Sequence, residues 1–115
     1  MGDFSWNIKR NFPDCKIVMI EANPFCEPHL KKLNLDYEMI GLSSGQGTSD
    51  LFVEKTNNIG SGSSFYKENT EWYENEKAHT ISVNLDTLDN KNYFPNQMID
   101  LVKIDVQGSE LDILI

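Results

Sequence analysis

The chain has 115 residues, of which 39% are hydrophobic, 10% aromatic and 24% charged, a composition expected of one small soluble domain with a single core. Ten Lys and Arg face 18 Asp and Glu for a formal charge of -8, a field that repels phosphate backbones and anionic headgroups. No basic run exceeds Lys9-Arg10 or Lys31-Lys32, so partners of nucleic acid or membrane type are disfavoured.

Phe4, Ile8 and Phe12 recur at i, i+4, i+8, with Asp3 or Ser5 available as caps and Pro13 as a stop, which predicts an amphipathic helix. Four consecutive apolar residues, Ile17 to Ile20, bounded by charge, predict a strand covered on both faces and therefore a parallel sheet. Asn23-Pro24 opens a helical stretch whose regular part is expected near Glu27 or Pro28, with Leu30 and Leu33 toward the sheet. Short strands follow at Tyr37 to Leu42 and Ser49 to Glu54, around a Ser-Gly turn. Residues 56 to 76 read as a long irregular loop holding Trp72, Tyr73 and the acidic cluster Glu68, Glu71, Glu74 and Glu76. Lys77 to Leu88 alternates cleanly, and Ile99 to Val106 predicts another buried strand. A helix then starts at Ser109, which with Asp112 resembles a capping box.

Cys15 and Cys26 stand 11 residues apart without a Cys-x-x-Cys pair or a His at metal spacing, which fits reduced structural thiols rather than a disulfide or a metal site. His29 and His79 read as structural. The longest apolar runs fall far short of the roughly 20 residues that span a bilayer, and no signal-peptide core is present, so the expected location is the cytoplasm.

In an open α/β sheet, ligands bind outside the carboxyl ends of the parallel strands. Glu21 follows the first strand, where its carboxylate could accept hydrogen bonds from both ribose hydroxyls of a nucleotide-like cofactor; a solvated carboxylate at a strand end is the alternative. Its spacing of 19 residues from Gly2 suits a nucleotide-binding βαβ unit. Asp105 follows the last strand, ahead of Gly108 and the helix start. Asp-x-x-Gly alone could also suggest a nucleotide triphosphatase switch, but the chain has no Gly-rich loop ending in Gly-Lys-Ser/Thr.

Ile20-Glu21-Ala22-Asn23-Pro24, Gly41-Leu42-Ser43, the Gly60 to Ser64 loop, Leu85-Asp86-Thr87-Leu88 and above all the block from Ile99 to Glu110 resemble, in this order and spacing, the FkbM family of methyltransferases. The resemblance runs over essentially the whole chain. It implies an α/β, Rossmann-like class I methyltransferase fold with a mainly parallel sheet. It implies S-adenosyl-L-methionine as cofactor, with its methyl group passed to a hydroxyl oxygen of a sugar, glycan or secondary metabolite. By the same carry-over Glu21 holds the ribose, Asn23 lines that pocket, Leu42 and Ser43 lie near the adenine, and Gly2 is the last glycine of the first motif. Asp105 then sits near the methionine end and the acceptor. Asp105 is the first candidate for a catalytic base or acceptor-orienting group and Glu110 the second; Asp105 could equally cap the helix or bond the cofactor's amino acid part.

The family's first strand and most of its glycine-rich loop would precede Gly2, and its later elements would follow Ile115, so the chain is expected to be a fragment, with a gap in the sheet between the strands ending at Glu21 and Asp105. A homo-oligomer through open sheet edges is expected on that ground. Two competing readings are a non-catalytic truncated α/β module acting through partner binding and, more weakly, a different nucleotide-binding enzyme such as a dehydrogenase, against which the lack of a complete Gly-x-Gly-x-x-Gly counts.

Overall fold

A computed structural model describes residues 2–54, 63–66 and 78–115. The expectations for Gly60 to Gly62 and for Glu68 to Glu76, including Trp72 and Tyr73, lie outside the described residues.

The first helix, α1 (Asp3–Asn11), forms as its spacing predicts, although neither Asp3 nor Ser5 caps it. The N-cap is Gly2 at φ 77, in the left-handed region that glycine enters without the Cβ penalty. Phe12 closes the last turn through its N–H to the Ile8 carbonyl, and Pro13 cannot continue the ladder. The Lys9 ammonium donates to the Cys15 carbonyl at 2.6 Å and ties the helix to the following turn.

β1 (Val18–Glu21) comes from the apolar run, with Met19 buried. A 3-10 turn (Pro24–Cys26) leads into α2 (Glu27–Lys31), so the regular helix starts where Pro28 can occupy an early position without breaking the ladder. Leu30 is buried as expected, and Asn34 at φ 53 turns the chain back. β2 (Asp36–Met39) then runs parallel to β1, in register from Val18 opposite Asp36 to Glu21 opposite Met39.

One residue later the chain changes neighbours. Ile40 still donates its N–H to the Glu21 carbonyl, but β3 (Gly41–Leu42) pairs in parallel with β5 (Ala78–Asp86). β4 (Gly47–Glu54) lies antiparallel on the far side of β5, from Gly47 opposite Leu85 to Glu54 opposite Ala78. The architecture is therefore mixed α/β, with a β1-β2 ladder and a β3-β5-β4 ladder that meet at Ile40.

Of the three ladders among the described residues, β1–β2 and β3–β5 are parallel, as the apolar runs predict, while the longest, β4–β5, is antiparallel. Its physical reason is visible in β5: Val83 is buried and Ile81 and Leu85 half-buried, while Thr80, Ser82 and Asn84 are exposed. One wet face suits antiparallel pairing better than burial on both sides. Leu51, Val53 and Val83 make the core cluster, with Ala22, Phe65, Ile81 and Leu85 packed on it.

A short helix, α3 (Leu88–Lys91), follows β5, capped by the Thr87 hydroxyl, which accepts from the Asn90 N–H at 3.0 Å. The strand expected over Ile99 to Val106 does not form. It finds no ladder partner among the described residues, and Met98, Ile99, Leu101 and Val102 are exposed. A strand is defined by its neighbour, which apolar composition cannot supply. The last element is α4 (Glu110–Leu114), whose Leu111 and Leu114 are also exposed. Among the described residues no helix is long and apolar enough to cross a membrane.

Candidate functional site

Glu21 ends β1, and its Oε1 accepts the Asn23 N–H at 2.8 Å. Burial pushes its carboxyl above the usual range, and the Asn23 and Ala22 N–H groups only partly offset this. Asn23, 1% exposed, also accepts from the Phe25 N–H at 3.1 Å, capping the 3-10 turn. Its side-chain amide donates to the Ser63 hydroxyl at 3.1 Å. The sequence-predicted pair Glu21 and Asn23 is thus one hydrogen-bonded unit at the carboxyl end of a parallel strand.

Ser63 belongs to a short run that links this unit to the turn before α4. Ser64 exchanges main-chain bonds with Phe52, and its hydroxyl donates to the Gln107 carbonyl at 3.0 Å while accepting from the Tyr66 N–H. The Tyr66 phenol in turn donates to Asp112 Oδ2 at 2.6 Å, which holds its proton more firmly than in free tyrosine.

Leu42 and Ser43 lie where β3 ends, Ser43 donating its N–H to the Asp86 carbonyl at 2.9 Å. Both line a cavity of about 120 Å³ that is closed on other sides by Phe65, Tyr66, Ser109 and Asp112. Gly41, immediately before, is buried, and an added Cβ would come within 2.6 Å of Phe65 and Leu85. Glycine there lets Phe65 close over the sheet.

The turn before α4 differs from expectation. Ser109 occupies the N-cap position but makes no capping bond. Glu110 instead secures the main chain ahead of the helix, accepting from the Val106 N–H at 3.2 Å and the Gly108 N–H at 3.0 Å, one with each carboxylate oxygen. These and neighbouring main-chain N–H groups hold its pKa below the usual range. Glu110, the second catalytic candidate, thus secures the Gln107-Gly108 turn, where Gln107 at φ 54 and Gly108 at φ 101 adopt left-handed conformations. Asp105 is not buried at a strand end either; its side chain is 66% exposed and stands 3.6 Å from the Lys103 ammonium. The loss of the 99–106 strand accounts for both its exposure and its surface ion pair.

Gly2 packs against Leu33, just past the end of α2, where an added Cβ would meet Leu33 Cδ1 at 2.2 Å. His79 stands edge-on to Phe25 with ring centroids 6.3 Å apart, a packing contact. Cys15 and Cys26 are free thiols, and Cys26 is pushed up to about 11 by burial and by the Glu21 charge. No cluster of potential metal ligands occurs among the described residues. A larger recess of about 450 Å³ lies at the opposite ends of β1 and β2, between Lys9, Lys16, Leu35, Asp36, Tyr93 and Phe94.

With this geometry in place, comparison with known proteins is decisive on one point: a family model described as "Methyltransferase FkbM domain" matches residues 2–115. The chain belongs to the FkbM methyltransferase family. No curated protein and no solved structure matches it. Within this FkbM domain, Glu21 with Asn23 and Leu42 with Ser43 occupy the carboxyl ends of β1 and β3, the edge on which an α/β sheet receives ligands. Sequence reasoning gave Ser109 and Asp112 only a capping-box role and did not single out Tyr66 as a lining residue of this cavity. Ser63 and Ser64 were visible only as part of a Gly-Ser run, the ordinary mark of a loop. Tyr66 had no positional signal at all, because its partner is 46 residues away.

Proposed function

We propose that this FkbM domain is an S-adenosyl-L-methionine-dependent methyltransferase of Rossmann-like class I type, acting on a hydroxyl oxygen of a sugar, glycan or secondary metabolite. The observation that carries the reading is Glu21, a half-buried carboxylate at the end of a parallel strand, oriented by the Asn23 N–H. Two ribose hydroxyls would supply the donors that such a desolvated carboxylate lacks. The cavity beside Leu42 and Ser43, with its polar Ser109 lining, supports a place for the base. When bound, the sulfonium cofactor supplies an electrophilic methyl group.

The chain's own residues then have three tasks. Glu21 and Asn23 anchor the ribose, and Leu42 and Ser43 flank the base. Asp105 takes the proton that the acceptor hydroxyl loses as the carbon–oxygen bond forms. Its exposure leaves it able to meet an acceptor, whereas both oxygens of Glu110 are committed to the turn. Positioning supplies most of the rate in such an in-line displacement. Transfer of isotope-labelled methyl from cofactor to a panel of polyols and glycosides tests the reading; no labelled product with any hydroxyl acceptor would count against it.

A second reading, a non-catalytic α/β module that works through a partner, is favoured by the Asp105–Lys103 ion pair and the exposed, unladdered apolar residues Met98, Ile99, Leu101 and Val102. Retained cofactor binding without labelled product would support it.

A further inference from the structure

Ser63 and Ser64 reach opposite ways from one short segment. Ser64 exchanges both main-chain bonds with Phe52, its N–H donating at 3.1 Å and its carbonyl accepting at 2.8 Å, which makes a strand-like bridge on the open side of β4. Successive residues of such a bridge send their side chains to opposite sides. The Ser63 hydroxyl therefore meets the Asn23 amide at 3.1 Å, while Ser64, 1% exposed, donates its hydroxyl to the Gln107 carbonyl at 3.0 Å. Phe65, next along, packs on the core cluster and lies against Gly41, so the segment is fastened to the sheet as well as to its two polar partners.

The turn at the far end depends on such a tie. Gln107 stands at φ 54, a left-handed conformation that costs energy in a residue other than glycine and persists where neighbours fix it. Glu110 fixes the N–H groups on either side of Gln107, and Ser64 fixes the Gln107 carbonyl. Asp105 stands two residues earlier, 66% exposed, and among the described residues it is held only by the Lys103 ammonium at 3.6 Å. A side chain so loosely held takes its place from the main chain that carries it, so what steadies the turn steadies Asp105.

We propose that Ser63 and Ser64 are positioning residues that couple the ribose-holding pair Glu21 and Asn23 to the turn beside Asp105. The proposal rests on the cofactor reading of the preceding section. Ribose hydroxyls on Glu21 restrain the Asn23 N–H that shares its carboxylate, Asn23 restrains Ser63, and Ser64 passes the restraint to Gln107. Coupling of this kind is carried by contiguous bonded groups and is read as the effect of a ligand at the far end. Cofactor binding thereby orders the proton acceptor before the alcohol arrives.

The test is hydrogen exchange of the Val106 and Gly108 amides, with and without saturating S-adenosylhomocysteine, in the native chain and in Ser63→Ala and Ser64→Ala. Calorimetric titration of each protein sets the saturating concentration. Bound ligand is expected to slow the native amides about fivefold or more, the lower end of typical coupling between sites. In both variants the slowing is expected to shrink to less than about twofold while affinity stays within about threefold of native, because Glu21 and Asn23 keep their own bond. A purely structural role would speed exchange in the ligand-free variants and leave the effect of the ligand unchanged. Should Ser64→Ala unfold, Ser63→Ala, at a partly exposed position, carries the test alone. Undiminished slowing in a folded variant overturns the relay and assigns the effect to direct contact. No slowing in a native chain that binds the ligand overturns it too, as does loss of affinity in Ser63→Ala, which would place the serine in the ribose site itself. Absence of binding by folded native protein overturns both this role and the cofactor reading beneath it.

Discussion

Asn23 reaches 40 residues along the chain, its Nδ2 donating to the Ser63 hydroxyl at 3.1 Å. The same residue orients Glu21 through its main-chain N–H and caps the 3-10 turn through its side-chain oxygen. One buried residue thus holds together the end of β1, the entry to α2 and the segment that runs on to the Gln107 turn. Asn23→Ala removes the cap and the tie to Ser63 while leaving the main-chain bond to Glu21. A loss of about 1–2 kcal/mol is expected, the upper part of the range for N-cap truncations, read from urea unfolding midpoints.

Glu21 is expected to trade stability for binding. Burial raises its carboxyl above the reference value of 4.5, so the folded state holds the proton more tightly than the unfolded chain. Its contribution is complete below about 4.5 and is lost as the pH rises through the folded value, leaving a desolvated charge at neutral pH. Glu21→Gln keeps an oxygen for the Asn23 N–H and removes that charge. Its melting temperature is expected to exceed that of the native chain at pH 7, with the gap closing toward pH 4, while affinity for S-adenosylhomocysteine falls about tenfold or more through loss of a charged acceptor.

Glu38 has the opposite sign. The Lys91 ammonium at 2.5 Å and the Tyr93 phenol hold its carboxyl below the usual range, a pairing that clamps α3 and the segment after it to β2. Asp86 lies close by, 3.9 Å from the same ammonium. The contribution of Glu38 is present above the ordinary carboxylate value and is lost as the pH falls through the folded one. Lys91→Met is expected to lower the urea midpoint at pH 7 and to matter much less at pH 3. An equal loss at both pH values would assign the effect to packing of the lysine stem.

The two thiols are expected to separate kinetically. Cys26 is 2% exposed and pushed up to about 11, so at pH 8 it offers neither thiolate nor access. Cys15 is only partly covered. Alkylation with iodoacetamide followed by mass spectrometry should modify Cys15 first and Cys26 only on unfolding.

What the sequence made legible was local. Ile17 to Ile20 marked β1, the alternation from His79 to Asp86 marked β5, and Pro28 set where the regular part of α2 begins, because each pattern depends on neighbours close in the chain. What it left hidden were choices of partner. The change of neighbour at Ile40 and the 53-residue span from Glu38 to Lys91 depend on tertiary packing. Ile99 to Ile104 carried a strand-like pattern, yet it forms no ladder with any described segment. The site divides in the same way: Glu21 with Asn23 and Leu42 with Ser43 were readable as residues after strands. Asp105 lost its expected burial along with its strand, and Glu110, not Ser109, is the side chain that bonds main-chain N–H groups at this turn. That exchange, which leaves the Ser109 hydroxyl unpaired among the described residues, shows in no motif.

Cofactor binding through Glu21 is tested most directly by calorimetric titration of the folded chain with S-adenosylhomocysteine beside its Glu21→Ala variant. Micromolar binding by the native chain, lost in the variant while the fold survives, is the expected result. No heat of binding from a folded native sample, or undiminished affinity in Glu21→Ala, would contradict it.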